Sequence, residues 1–166
     1  VCSSDLVEQL IAAYSQLSPA VDLITGGESE YTVAGELMGL KLKARADYIN
    51  LEEGYIADVK TTGYSADHDT FSYTIDRFGY DLSAGLYTML FEQHYGKPFD
   101  FYFIVLSKKE KTCEVYKASS ETMERGRAAV VEAVYLIKKC QESGNWDLVI
   151  NNNKDRYTED SETFEI

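Results

Sequence analysis

The run Phe99-Asp100-Phe101-Tyr102-Phe103-Ile104-Val105-Leu106 constrains the fold more than any other stretch of the chain. It is strand-length and nearly continuously apolar, with Gly96 and Pro98 before it and the charged turn Lys108-Lys109-Glu110-Lys111 behind it. A strand that is apolar on both faces has to be covered on both faces, which places it at the centre of a sheet. The flanking segments supply the cover. Ser3 or Ser4 caps a helix with Leu6, Leu10, Ala13 and Leu17 at helical spacing, and Pro19 marks its end. Phe71, Ile75, Phe78, Leu82, Leu86 and Met89 recur at threes and fours, predicting one long helix that runs to about Tyr95. Thr112 to Lys117 returns as a strand, and Ser120 caps a last helix carrying Met123, Val130, Val134 and Ile137, with Gly144 just beyond it.

Between the first two helices lies the chemistry. Gly26-Gly27 breaks the pattern, Glu30 to Val33 begins an edge strand, and Leu40 to Ile49 alternates apolar with polar residues. Lys41, Lys43, Arg45 and Asp47 fall on one side of that alternation. After the break at Asn50-Leu51-Glu52-Glu53-Gly54, Tyr55 to Thr61 resumes a strand in which Asp58 and Lys60 share a face. A hairpin pairing about the middle of the break sets Asp47 directly opposite Asp58, and Lys41, Lys43, Arg45 and Lys60 along one face. Like charges directly opposite are destabilising, so either a cation sits between the two acids or one of them is protonated. Hard oxygen ligands suit Mg²⁺ or Mn²⁺, which carboxylates hold together with water and substrate phosphate. Glu28 and Glu30 are the candidates for a third acid. His68, between Asp67 and Asp69, reads as part of a solvated loop cluster rather than a ligand, and His94 as a structural residue near a helix end.

The order helix, three strands, long helix, two strands, helix predicts an α/β fold with one central mixed sheet flanked by helices. At 166 residues the chain has the length of one domain. No apolar run reaches membrane-span length, and no nucleotide-binding glycine motif occurs. Cys2, Cys113 and Cys140 form neither a disulfide framework nor a zinc pattern, which fits a reducing, cytoplasmic location. The net charge of −12 argues against nonspecific coating of nucleic acid, but much of the acidity lies away from the hairpin, including Glu159, Asp160, Glu162 and Glu165 in the final segment.

Asp47, ten residues, then Asp58-Val59-Lys60 satisfies the PD-(D/E)xK nuclease pattern, with Ala46 in place of the proline. With Ala44-Arg45-Ala46-Asp47, Asp58-Val59-Lys60-Thr61-Thr62, Gly79-Tyr80-Asp81-Leu82, Tyr87 and Gly144-Asn145-Trp146, the chain resembles the exodeoxyribonuclease VIII (RecE-type) branch of that superfamily, found in phages and prophages. The resemblance covers nearly the whole chain. It implies a restriction-endonuclease-like domain over residues 1–150, N-terminally truncated, followed by a polar acidic tail at 151–166.

The resemblance further implies Mg²⁺-dependent hydrolysis of DNA, with 5′→3′ resection of duplex ends in recombination, a ring-shaped homo-oligomer and a single-strand annealing protein as partner. Asp47 and Asp58 would be metal ligands, the Val59 carbonyl a further oxygen ligand, and Lys60 the group that orients water or steadies developing charge. Glu30 matches the family acid on the preceding strand. Tyr87 matches the family tyrosine on the long helix, while Ser83 stands where the family has glutamine, and the family's upstream histidine ligand would lie before Val1. Arg45 is placed to hold a neighbouring phosphate. These departures motivate an alternative, a nuclease-derived module that binds DNA ends or a protein partner and is catalytically impaired.

Overall fold

The structure, a computed structural model, describes residues 4–147. The expected acidic tail, together with Cys2 and Ser3, lies outside the described residues. One five-stranded sheet of order β1-β2-β3-β4-β5 forms the centre, from β1 (Glu28–Leu37), β2 (Leu40–Asn50), β3 (Tyr55–Thr62), β4 (Asp100–Ser107) and β5 (Thr112–Lys117). Only β3 and β4 run parallel. The sheet is therefore mixed and flanked by helices, as the element order predicts. Of the apolar run, Phe101, Phe103, Ile104 and Val105 are at most 1% exposed, which is the burial expected of a strand covered on both faces.

Helices α1 (Ser4–Gln16) and α2 (Ser18–Leu23) cover β4 and β5 on one face, where Tyr48, Tyr55, Ala57, Ile104 and Cys113 form a small core. Helices α3 (His68–Phe78), α4 (Tyr80–Tyr95) and α5 (Ser120–Ser143) build the larger core on the other face around Ile56, Phe71, Phe91, Phe101 and Phe103. α4 and α5 cross at glycines: a Cβ on Gly126 would stand 2.0 Å from the Asp81 carbonyl oxygen, and one on Gly85 would stand 2.5 Å from Gly126 backbone carbon. Arg125 bridges Asp76 and Asp81 at 2.6 and 2.7 Å beside that crossing.

Four boundaries differ from the sequence expectation. The long helix from Phe71 to Tyr95 is two helices, because Gly79 takes a left-handed φ of 65° and its N–H closes on the Ile75 carbonyl, ending α3 before α4 begins. The apolar spacing runs on across the break and hides it. Pro19 does not end the first helical segment; it sits in the first turn of α2, where a missing N–H costs nothing. Ser119 rather than Ser120 caps α5, its hydroxyl accepting the Thr122 N–H at 3.1 Å. The edge strand also extends to Leu37 and turns into β2 through Met38 and Gly39, both at positive φ (52° and 81°), the geometry of a two-residue type I′ hairpin.

Candidate active site

The register of β2 against β3 is the one the hairpin reading gives, with Tyr48 opposite Ala57, Ile49 opposite Ile56 and Asn50 opposite Tyr55. The ladder stops there, one step short of Asp47 and Asp58. Beyond it β2 leaves β3 and stays with β1, pairing Ala46 with Tyr31 and Ala44 with Val33. The β1–β2 ladder also skips a position, because Ser29–Tyr48 and Tyr31–Ala46 are paired while Glu30 and Asp47 between them are not. Glu30 adopts φ 55° at that gap, a left-handed conformation costly for a residue with a Cβ. Asp47 thus sits where both flanking ladders break.

Its side chain takes over from the missing ladder, for Asp47 Oδ2 accepts the Val59 N–H at 2.8 Å. A strand residue presents its N–H and C=O along the same edge, so the Val59 carbonyl faces the same gap. Glu30, Asp47 and Val59, with Ile24, Ser29 and Tyr48, line a cavity of about 400 Å³ on the side of α2.

Asp58 is only 3% exposed. Its Oδ2 is held by the Lys60 ammonium in a charge-assisted contact and has no other polar partner among the described residues. Burial pushes the Asp58 carboxyl above the usual carboxylate range; Lys60 pulls it back and the Asp47 charge pushes it further up. The Lys60 ammonium lies 4.9 Å from the centre of the Tyr80 ring. Burial also raises the Tyr87 phenol, and the charges acting on it, Asp58 first, then Lys60, Asp47 and Arg45, place Tyr87 within the same electrostatic neighbourhood.

One expectation is corrected here. Lys41, Lys43, Arg45 and Lys60 do not line a single face. Arg45 alternates with Ala44 and Ala46, which belong to the core under α4, so it points outward, whereas Lys60 points toward Tyr80 on the α4 side. Nor do Asp47 and Asp58 share a flat hairpin surface, because the strands splay between them. Arg45 instead pairs with Glu30, Nε to Oε2 at 2.9 Å, and both side chains are exposed.

A divalent ion fits the gap by its donors: a buried carboxylate whose Oδ2 has, among the described residues, only the Lys60 ammonium for a partner, a second carboxylate, and a backbone carbonyl, all hard oxygens. Among the described residues no group of three or more His, Cys, Asp or Glu is gathered for one ion. The site is therefore built on the acid pair, with Glu30 held to one side by Arg45.

Residues 4–149 match the model of a family described as a PDDEXK-like domain of unknown function (DUF3799). The chain belongs to that family. No curated protein matches it. Among solved structures, this PDDEXK-like domain is similar to a candidate exonuclease from Eubacterium rectale, at a TM-score of 0.71 and 18% identity over 84% of this chain and 54% of that one. It spans about half of that protein's length. A second structure, of SSO0001, aligns at a TM-score of 0.43 and 14% identity over 79% of this chain and 61% of that one.

In this PDDEXK-like domain, then, Asp47 with Val59 and Asp58 with Lys60 flank the splay, and Tyr87 lies within their electrostatic reach. Glu30 shares the Asp47 cavity, and Arg45 reaches the site through Glu30. Ser83 lies one turn before Tyr87, half-buried, and is joined to the acids by no hydrogen bond or ion pair among the described residues. Tyr80 is the residue that the sequence reading passed over. It lies in the quoted Gly79-Tyr80-Asp81-Leu82 motif, and the glycine before it is the signal that the helix restarts there.

The His68 cluster is a helix cap. Asp67 accepts the Thr70 N–H at 3.0 Å, and its carboxyl is held down at about 2 by the Ser65 hydroxyl first and by that backbone N–H. Cys113 and Cys140 are buried free thiols, and burial pushes Cys113 up to about 11. No helix among the described residues is long and apolar enough to cross a membrane.

Proposed function

We propose that this domain hydrolyses DNA phosphodiester bonds with Mg²⁺ or Mn²⁺, as an exonuclease that resects linear duplex ends 5′→3′ in phage-type recombination. The observation that carries the reading is the pair at the splayed strands: Asp58, buried with Lys60 as the one polar partner of its Oδ2 among the described residues, lies within the electrostatic reach of Asp47 in a chain of the PDDEXK-like family. The description of the Eubacterium rectale structure as an exonuclease supports exonucleolytic rather than internal cleavage.

Asp47 and Asp58, with the Val59 carbonyl, would hold the ion. When bound, it supplies Lewis-acid polarisation of a phosphoryl oxygen and a more acidic water. Lys60 would yield Asp58 to the ion and turn its ammonium to the phosphate, offsetting the charge that grows as the phosphorus is attacked. Asp47 stays oriented because Val59 N–H fixes one of its oxygens, leaving the other to bind. Arg45, exposed on the outer face with Lys41 and Lys43, is placed to hold a neighbouring phosphate despite the chain's net negative charge. The same reading carries a ring-shaped homo-oligomer, a single-strand annealing partner and a cytoplasmic setting.

Linear duplex labelled at either 5′ or 3′ ends, and covalently closed circles, distinguish these claims. The expected outcome is Mg²⁺-dependent release of nucleotides from 5′ ends with the circles spared. Full activity in Asp58→Ala or Lys60→Ala would overturn the proposal.

A second reading rests on the absence of a third gathered acid or histidine among the described residues and on Ser83 at the glutamine position. Here the domain binds DNA ends without cutting. Tight end binding with no metal-dependent cleavage would establish it.

A further inference from the structure

Lys60 carries the charge-offsetting role in the proposed reaction, yet a lysine ammonium rides on a flexible four-carbon stem and is not aimed by its backbone alone. Its ion pair with Asp58 cannot be the lasting restraint, because Asp58 is the carboxylate that a divalent ion takes. Something else has to hold the ammonium when Asp58 changes partner. The group on the other side of it is the Tyr80 ring, 4.9 Å away at its centre. A cation within about 6 Å of a ring face is attracted by the ring quadrupole.

The ring itself sits in an aromatic cluster. Tyr80 stacks on Phe78 with centroids 5.8 Å apart, and Phe71 and Phe103 lie at 6.3 and 6.5 Å on its other contacts. Gly79, in its left-handed conformation, restarts the chain as a new helix with Tyr80 as its first residue. An uninterrupted helix would carry that side chain elsewhere. The break between α3 and α4 thus has a consequence at the site, since it sets an aromatic face beside the reacting lysine.

We infer that Tyr80 is a positioning residue that holds the Lys60 ammonium by cation–π attraction and keeps it directed at the site once Asp58 binds metal. This inference rests on the nuclease reading above. It assigns Tyr80 no contact with substrate, and its hydroxyl no part in the effect.

Fluorinated phenylalanines test it by weakening the ring's attraction for a cation with little change in ring size. Tyr80→Phe is expected to keep kcat within about twofold of the native enzyme, and successive mono-, di- and trifluorophenylalanine at position 80 are expected to lower kcat stepwise by about tenfold in all, with KM for linear duplex unchanged. A readout independent of activity comes from NMR of ¹³C-labelled lysines, with the Lys60 ε-methylene assigned by its loss in Lys60→Met. That signal should be displaced upfield by the ring in the native protein and in Tyr80→Phe, and should return to the common lysine position in Tyr80→Leu. Unchanged kcat across the fluorinated series, or an undisplaced methylene in the native protein, would overturn the inference while leaving a cleaving enzyme a nuclease. A displaced methylene in a protein that shows no metal-dependent cleavage would instead overturn the nuclease reading, and with it the catalytic part of this inference.

Discussion

Asp47 Oδ2 accepts the Val59 N–H at 2.8 Å across two strands that have already parted. The bond makes the geometry of Asp47 separable from its charge. Asparagine keeps an oxygen that accepts the same N–H but cannot serve as an anionic ligand. Asp47→Asn is therefore expected to unfold in urea within about 0.5 kcal/mol of the native protein. Its DNA hydrolysis should fall more than about a hundredfold, beyond the loss typical of residues that only support a metal ligand. Asp47→Ala should lose stability as well, by about 1 kcal/mol, since the Val59 N–H then depends on water.

Asp58 gives the pH dependence. Its folded carboxyl lies above the ordinary 3.8 because burial disfavours the anion. A raised folded value means the folded state binds the proton more tightly than the unfolded chain. The resulting stabilisation is fully present below the unfolded value near 3.8 and is lost as pH rises through the folded one. In chelator at neutral pH, Asp58→Asn should then melt higher than the native protein, and the two should converge in acid. If the proposed site holds Mg²⁺ or Mn²⁺, the ion should offset or reverse that order. At ten times its dissociation constant an ion adds about 1.4 kcal/mol to the native fold, and should add nothing to Asp58→Asn. Calorimetric scans with and without metal read both effects, and a metal shift retained in Asp58→Asn would count against the site.

Glu30 is tested through its backbone. A residue with a Cβ at φ 55° carries a strain of about 1–2 kcal/mol that glycine does not. Glu30→Gly is expected to be more stable than Glu30→Ala by about 1 kcal/mol, and the two share the loss of the carboxylate. If both bind Mn²⁺ more weakly than the native protein in titration calorimetry, Glu30 is a ligand. Equal affinity in all three assigns it to the Arg45 pair alone.

α4, which carries Tyr80 and Tyr87, packs against α5 at the close Gly85–Gly126 crossing. A methyl group on Gly126 meets the Asp81 carbonyl, a backbone atom that cannot swing aside. Gly126→Ala should cost about 1–3 kcal/mol in chemical denaturation, the range for overpacking a close contact. Surviving folded protein should cleave DNA more slowly, because the helix bearing both tyrosines is displaced.

Local chemistry already determined much of this protein. The doubly apolar run at Phe99 to Leu106 required a covered central strand, the alternation of Leu40 to Ile49 and the polar break after it fixed the hairpin register, and the spacing of Asp47, Asp58 and Lys60 marked the candidate site. These are properties of pattern over a few residues, which side-chain periodicity carries directly. Tertiary structure decided the rest. That the ladder stops at Tyr48 and Ala57 depends on β2 staying with β1 where it leaves β3, a competition between the two hairpin partners that flank it, which the alternation of β2 alone does not record. That Lys60 faces Tyr80, and Arg45 faces away toward Glu30, depends on which helices cover which side of the sheet. The helix break at Gly79 was hidden because apolar spacing continued through it, and only packing against Phe71 and Phe103 shows why the chain restarts there with a tyrosine. Sequence named the acids and the lysine. The burial of Asp58 and the aromatic face behind Lys60 come from helices packed on the sheet, and the gap beside Asp58 from how three consecutive strands share their edges; no pattern within one strand records them.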